Sequence, residues 1–372
     1  MLLTDLLCSL GRRVAADRLF CALLAALPLL ALGAPRPRGG YLALIDWQTL
    51  GLLAGLIVLS QGLLESGALH RGGERLLAAV RTERGMAVVL VALTALLSMV
   101  VTNDAALIVM VPLTVTLRFT VESLPVGRFV VFEALAANTG SLVSPIGNPQ
   151  NLYLWQSSGI GAVAFMRHMA PLLLTCASIL GVAIVAGFAG RITRDRRTDR
   201  RVAVDTKRFA LAATLYPVFL LLADYGYTSA AAGAALGIMA VGFPAALRRA
   251  DWLLLAVFAL MFVDVGLAVH VPAVQTAVDR LADCTGGDGM LASAAVSQVV
   301  SNVPAALLMR GLGGHWLDVA WGANVGGYGL AVGSLANIIA LRLGRQQGLW
   351  AEFHRWSIPF LLAAAAAALA IR

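Results

Sequence analysis

Charge is the scarcest ingredient of this chain. Only 13% of its 372 residues are Asp, Glu, Lys or Arg, whereas 59% are hydrophobic. Soluble domains carry about 25% charged residues, so a water-facing exterior is excluded, although the length alone would suit one or two soluble domains. Cysteine is almost as sparse. Cys8, Cys21, Cys176 and Cys284 are scattered, with no CxxC and no metal-ligand spacing, which excludes a disulfide framework and a zinc centre. The five histidines form no HExxH. No nucleotide loop, metal cluster or Ser/His or Cys/His pairing at matching depths is present, so neither an enzyme nor a resident cofactor is expected.

What remains is apolar sequence, with a mean hydropathy of +0.83. A membrane-spanning helix needs about 20 predominantly apolar residues. Full-length candidates are 14–33, 46–69, 129–155, 168–190, 209–223 (short), 228–247, 252–271, 318–341 and 355–371. The first holds Pro28 and no small-residue cleavage site, and reads as a span rather than a removed signal. Two further stretches, 86–118 and 290–310, are interrupted at mid-length by Thr102-Asn103-Asp104 and Ser301-Asn302.

The net charge of +8 invites a nucleic-acid reading, but its distribution argues otherwise. Arg191, Arg194, Arg196, Arg197, Arg200, Arg201, Lys207 and Arg208 fall in one stretch between apolar runs, with no nucleic-acid-binding motif. That is a cytoplasmic loop under the positive-inside rule. Arg12, Arg13 and Arg18 then put the N-terminus inside, and two spans bring Arg71, Arg75, Arg81 and Arg84 back inside. Arg118 and Arg128 also belong inside, so 86–118 starts and ends on one side: a re-entrant hairpin. With 290–310 as a second hairpin entering from outside, Arg248, Arg249, Arg342 and Arg345 fall inside and 272–289 outside. Only Arg36 and Arg38 are left unsatisfied, and the C-terminus lies outside.

The chain repeats itself. Residues 98–110 (SMVVTNDAALIVM) align without gaps on 297–309 (SQVVSNVPAALLM), with six identities in thirteen. Residues 137–152 align on 323–338, matching Asn138, Gly140, Gly147 and Asn151 to Asn324, Gly326, Gly333 and Asn337. Phe165, Arg167 and Pro171 match Phe353, Arg355 and Pro359, and Asp46-Trp47 matches Asp251-Trp252. Asp46 opens its span from outside and Asp251 from inside, so the repeats are inverted, as in many secondary transporters. The expected organisation is a first repeat over 1–190, a basic loop and linking span over 191–227, and a second repeat over 228–372.

Polar residues at mid-membrane are costly and mark substrate or ion pathways. A helix leaves its first four N–H groups unpaired, and Asn103 and Asn302 are suited to cap the second hairpin arms. Capped N-termini at mid-membrane present positive dipole ends to an anion. Gly140, Pro145, Gly147 and Pro149 interrupt the helix in 129–155, and Gly326, Gly327, Gly329 and Gly333 that in 318–341. Irregular backbone at this depth is tolerated where it is buried in protein or lines a cavity. The expected substrate residues are Thr102, Asn103, Asn138, Thr139, Gly140, Ser141, Gly147, Asn148, Ser301, Asn302, Asn324, Gly326 and Gly327. The expected ion-coupling residues are Asp104, Asn151, Asn337 and Asp264. Glu65 and Glu133 read as interfacial, Arg167 and Arg355 as anchors of span ends. Asn148, opposite Ser334, is expected to tolerate change.

The stretches VVTNDAALIVMVPL (100–113), SPIGNPQN (144–151), SQVVSNVPAALL (297–308) and GSLANIIAL (333–341) carry a resemblance. The chain beyond its first span resembles the superfamily of SLC13-type (divalent anion/sodium symporter) permeases, citrate transporters, arsenite-efflux permeases and NhaD-type sodium/proton antiporters. Its nearest likeness is to small permeases with a citrate-transporter-type domain. The resemblance implies opposed hairpins with a site at their tips, an elevator-like motion, sodium at the hairpin tips and often a homodimer. Dicarboxylate symporters carry Ser-Asn-Thr at both tips. Here Asp104 and Val303 depart from that pattern, closer to the arsenite and antiporter branches. The expectation is a multi-pass inner-membrane carrier of a small anion or oxyanion coupled to Na+ or H+. A sodium/proton antiporter or an arsenite-type efflux permease is the alternative.

Overall fold

The computed structural model describes residues 18–35, 37, 40–68, 71, 80, 82–117, 124–189, 203–344 and 346–372. Most of the basic loop, including Arg191 to Arg201, lies outside these residues, as do Arg12, Arg13, Arg36, Arg38, Arg75, Arg81, Arg118 and Arg345. The described residues are helical, with no strand among them. In chain order the helices are α1 (Arg18–Gly33), α2 (Trp47–Glu65), α3 (Glu83–Val100), α4 (Asn103–Leu117), α5 (Val126–Ser141) and α6 (Pro149–Ser158). Next come α7 (Ala162–Gly187), α8 (Thr206–Asp224), α9 (Thr228–Gly242), α10 (Pro244–Arg249), α11 (Trp252–Ala268) and α12 (Pro272–Cys284). The last five are α13 (Gly289–Val300), α14 (Asn302–Gly311), α15 (Trp316–Gly326), α16 (Leu335–Gly344) and α17 (Leu349–Ile371).

Short polar side chains start many of these helices. Asp46 accepts from the N–H groups of Gln48 and Thr49, Asp251 from Leu254, and Asp288 from Met290 and Leu291. Each satisfies donors that the first turn leaves unpaired. Five helices (α2, α3, α7, α8 and α17) are long and apolar enough to cross a membrane alone. Their outer faces carry large exposed apolar side chains such as Leu174, Val182 and Leu362. A soluble protein would not expose such faces; lipid is their solvent.

Three boundaries differ from those expected. The apolar run 228–247 breaks at Phe243 into α9 and α10, because Pro244 cannot continue the ladder. Residues 272–289, expected as a loop, contain the amphipathic α12, bent 85° from α11. The 209–223 segment extends to a full-length helix, Thr206–Asp224.

Polar contacts sort the helix ends into two sets. Arg84 and Arg128, at the start of α3 and α5, both bond carbonyls at the C-terminal end of α7: Arg84 those of Val185 and Phe188, Arg128 that of Gly187. So α3 and α4 leave and return to one side. Asp288 and Asp318, before α13 and in the first turn of α15, both pair with Arg372, so α13 and α14 do the same at the other end. Arg128 also holds Glu352 at the start of α17, whose far end is Arg372. The two hairpins therefore enter from opposite ends of the bundle. At 12 and 10 residues, α13 and α14 reach only about 18 and 15 Å at 1.5 Å per residue. That is half a hydrocarbon core of about 30 Å.

Candidate functional site

Each hairpin turns on a single strained residue. Thr102 has φ +128° and Ser301 φ +74°, and no other described non-glycine residue has positive φ. They are equivalent in the repeat. Strain of about 1–3 kcal/mol at such a residue persists only where the surroundings over-determine it. The expectation that Asn103 and Asn302 cap the second arms is corrected here. Thr102 and Ser301 hold the cap positions and the asparagines are the first helical residues. The Thr102 hydroxyl accepts from the Ala105 N–H, and Asn103 Oδ1 from the Asp104 N–H. Asn302 Nδ2 instead reaches Ser334 Oγ at 3.4 Å.

The broken helices meet between these tips, and their contacts are reciprocal. Asn138 Nδ2 donates to Asn337 Oδ1 at 2.9 Å, and its counterpart Asn324 Nδ2 donates to Asn151 Oδ1 at 2.7 Å. Asn148 Nδ2 donates to Asn324 Oδ1 at 3.0 Å, and its counterpart Ser334 Oγ donates to Asn138 Oδ1 at 3.2 Å. Asn151 Nδ2 reaches the Ser141 carbonyl, and Asn337 Nδ2 that of the equivalent Gly327. These four side-chain bonds between the halves form two mirror pairs, as in an isologous two-fold interface. Asn148 therefore belongs to the network, contrary to the tolerance expected of it; Ser334 performs its part in the other half.

The glycines permit this approach. A Cβ on Gly140 would strike the Ala95 carbonyl and Ser98 Oγ, and one on Gly326 would lie 2.5 Å from Ser297 Cβ. Ala95 and Ser98 of α3 are the repeat equivalents of Ala294 and Ser297 of α13. A Cβ on Gly147 would come 2.5 Å from the Ser141 carbonyl, one on Gly333 2.6 Å from that of Gly326. The Thr139 hydroxyl joins Tyr328 Oη at 2.9 Å, tying the first broken helix to the second break.

Two spaces adjoin this network. A small cavity of about 30 Å³ is lined by Asn103 and Asp104 of one tip, Ser301 to Pro304 of the other, Pro149 and Gln150, Ser334 to Ala336, and Leu254, Val257, Phe258 and Met261 of α11. A water needs about 10–15 Å³ by this measure, so the cavity holds about two. An adjoining crevice of about 270 Å³ runs between α2, α4, α11 and α16, past Thr102, Asp104, Ile108, Asp251 and Arg342. Asp104 borders both. Its Oδ1 and Gln150 Oε1 are buried acceptors without a protein partner. No cationic side chain lines the cavity among the described residues. A larger space of about 630 Å³, beside α3, α7 and α8, has an almost wholly apolar lining and lacks convergent polar groups.

The structure thus brings Asn103, Asp104, Ser301 and Asn302 to the cavity and Thr102 to the crevice. The other expected asparagines and glycines, with Thr139 and Ser141, form the wall behind. Asp264 borders neither space, though it is buried with both oxygens unpartnered. Glu133 is not interfacial. It is fully buried on α5, with Oε1 accepting from Thr114 and Oε2 without a partner. Sequence reasoning missed Gln150, Ser334 and the α11 wall; only the alignment of Ser334 on Asn148 carried a usable signal.

The profile of the citrate transporter family matches residues 7–312. The inner membrane protein YbiR of Escherichia coli K12 is 38% identical over 327 residues, 87% of each chain. A protein of Methanocaldococcus jannaschii named as a transporter is 29% identical over 306 residues, 81% of this chain and 82% of that one. The silicon efflux transporter LSI3 of Oryza sativa subsp. japonica is 35% identical over 134 residues, 36% of this chain and 27% of its own.

Proposed function

The chain belongs to the citrate transporter family of membrane transporters, and from that premise we propose that it is a secondary active carrier of a small anion or oxyanion, coupled to a proton or cation gradient. One observation carries the reading: Asp104, a carboxylate at a hairpin tip, lines both a small cavity with room for about two waters and the larger crevice beside it. A buried carboxylate without a partner is unfavourable and repels an anion. A proton or a sodium ion in the cavity, among Asp104, Gln150, Asn103, Asn302 and Ser334, removes that charge. The starts of α4 and α14 then offer their positive dipole ends to the solute. Asn138, Asn148, Asn151, Asn324 and Asn337 hold this geometry rather than touch the solute. The hairpin core, with Gly140, Gly147, Gly326 and Gly327 at its tight contacts, moves against α2 and α11 to alternate access.

Under the positive-inside rule we read the ends that carry Arg84, Arg128 and Arg249 as cytoplasmic, which would put the N-terminus inside, the C-terminus outside and the crevice facing inward. The family likeness supports the homodimer. A sodium/proton antiporter is the second reading, favoured by a cavity lining with no cationic side chain among the described residues. Solute-dependent currents in proteoliposomes, with and without sodium or proton gradients, separate the two. Asp104→Asn is expected to keep solute binding and to lose gradient dependence. Wild-type gradient dependence in that variant would remove Asp104 from coupling, and currents driven by ion gradients without any solute would favour the antiporter.

A further inference from the structure

The reciprocity of the two halves extends to where the molecule is open and where it is shut. Trp47 Nε1 bonds the Leu42 carbonyl as Trp252 Nε1 bonds that of Leu247. So α2 and α11 are in register at a spacing that pairs Ile57 with Phe262. Asn151 and Asn337 are equivalent and in register along α6 and α16, which pairs Ile339 with Tyr153. Ile57 and Ile339 both line the crevice that runs past Asp104. Their equivalents Phe262 and Tyr153 meet edge to face, ring centroids 5.9 Å apart, toward the opposite end of the bundle. Ile108 lines the crevice and is 51% exposed, while its equivalent Leu307 is 5% exposed.

We propose that Tyr153 and Phe262 are the closed gate of the second access route, and that the alternate state parts them while bringing Ile57 against Ile339. Exchanging the conformations of two halves built on the same contacts replaces one set of contacts by its equivalents, so the two arrangements differ little in energy. A bistable packing of this kind is what a two-state carrier requires. The new crevice would run past Phe262, Leu307 and Val303 to the tip of the second hairpin. It rests on the alternating-access part of the proposed function but not on the solute.

The test uses full-length protein with Cys8, Cys21, Cys176 and Cys284 replaced by alanine, and an impermeant maleimide as probe. Uncrosslinked, Ile108→Cys is expected to label at least tenfold faster than Leu307→Cys. Oxidation of Ile57→Cys/Ile339→Cys is expected to close the inner side. It should speed labelling of Leu307→Cys at least tenfold and slow that of Ile108→Cys as much. Phe262→Ala, which keeps the fold but weakens the gate, should raise Leu307→Cys labelling several-fold without any crosslink. A crosslink that forms yet leaves Leu307→Cys protected overturns the proposal. So does failure of the Ile57/Ile339 pair to crosslink where Tyr153→Cys/Phe262→Cys succeeds. Because labelling needs no solute, a gate that works in a protein that moves no anion would sink the proposed substrate and leave the gate standing.

Discussion

The asparagines differ greatly in what they hold. Asn324 donates to Asn151 and to the Ala320 carbonyl and accepts from Asn148, all of them buried. Asn103 has one long bond of 3.5 Å to Asn138 besides its bond to the next N–H. Asn324→Ala leaves the Asn151 amide oxygen unpaired and takes from Asn148 one of its two acceptors, at about 1–3 kcal/mol for an unpaired buried group. Asn103→Ala forfeits a bond nearer the 0.6 kcal/mol average between membrane helices. The melting temperature in detergent should therefore fall several degrees further for Asn324→Ala than for Asn103→Ala. Solute binding should suffer more in Asn103→Ala, because Asn103 lines the cavity. Equal loss of stability in the two variants would contradict the network. That these asparagines matter was legible in the sequence, since they recur in register. Their partners were not, because a bond such as that from Asn138 to Asn337 leaves no local pattern in either segment.

At the scale of elements, the hairpins and broken helices were read from loop charge and from polar or Gly/Pro interruptions in the apolar runs; length alone would have let α3 cross by itself. α12 was not. It reads as a polar loop by hydropathy, and only the 85° bend after α11 reveals it as a helix of its own. Just before the interruptions at 142–148 and 327–334, α5 and α15 press against α3 and α13, and Gly140 and Gly326 make that contact. Adding one methyl at either forces the pair apart, at about 1–3 kcal/mol or more. Gly140→Ala is expected to cost more than Gly326→Ala. The first methyl meets backbone at Ala95, while the second meets chiefly the Ser297 side chain. Thermal unfolding of the two purified variants decides it. The reverse order would mean that α13, not α3, is the rigid partner.

For the whole molecule, orientation rests on charge alone. Cysteines placed in 203–208 should be shielded from an impermeant thiol reagent in intact cells, and those in 224–228 labelled. If both label from outside, the inward-open assignment of the crevice fails with it. The two-fold relation itself was visible in the sequence as matched glycines and asparagines. Its breach at the hairpin tips was visible too, and its meaning only became clear with the cavity: Asp104 on one tip stands where Val303 stands on the other. Two separate half-length chains related by a two-fold would have to place carboxylates there in even number. A single continuous chain is free to carry one. On the proposed mechanism, one proton or one monovalent ion is then enough to neutralise the carboxylate at the tips.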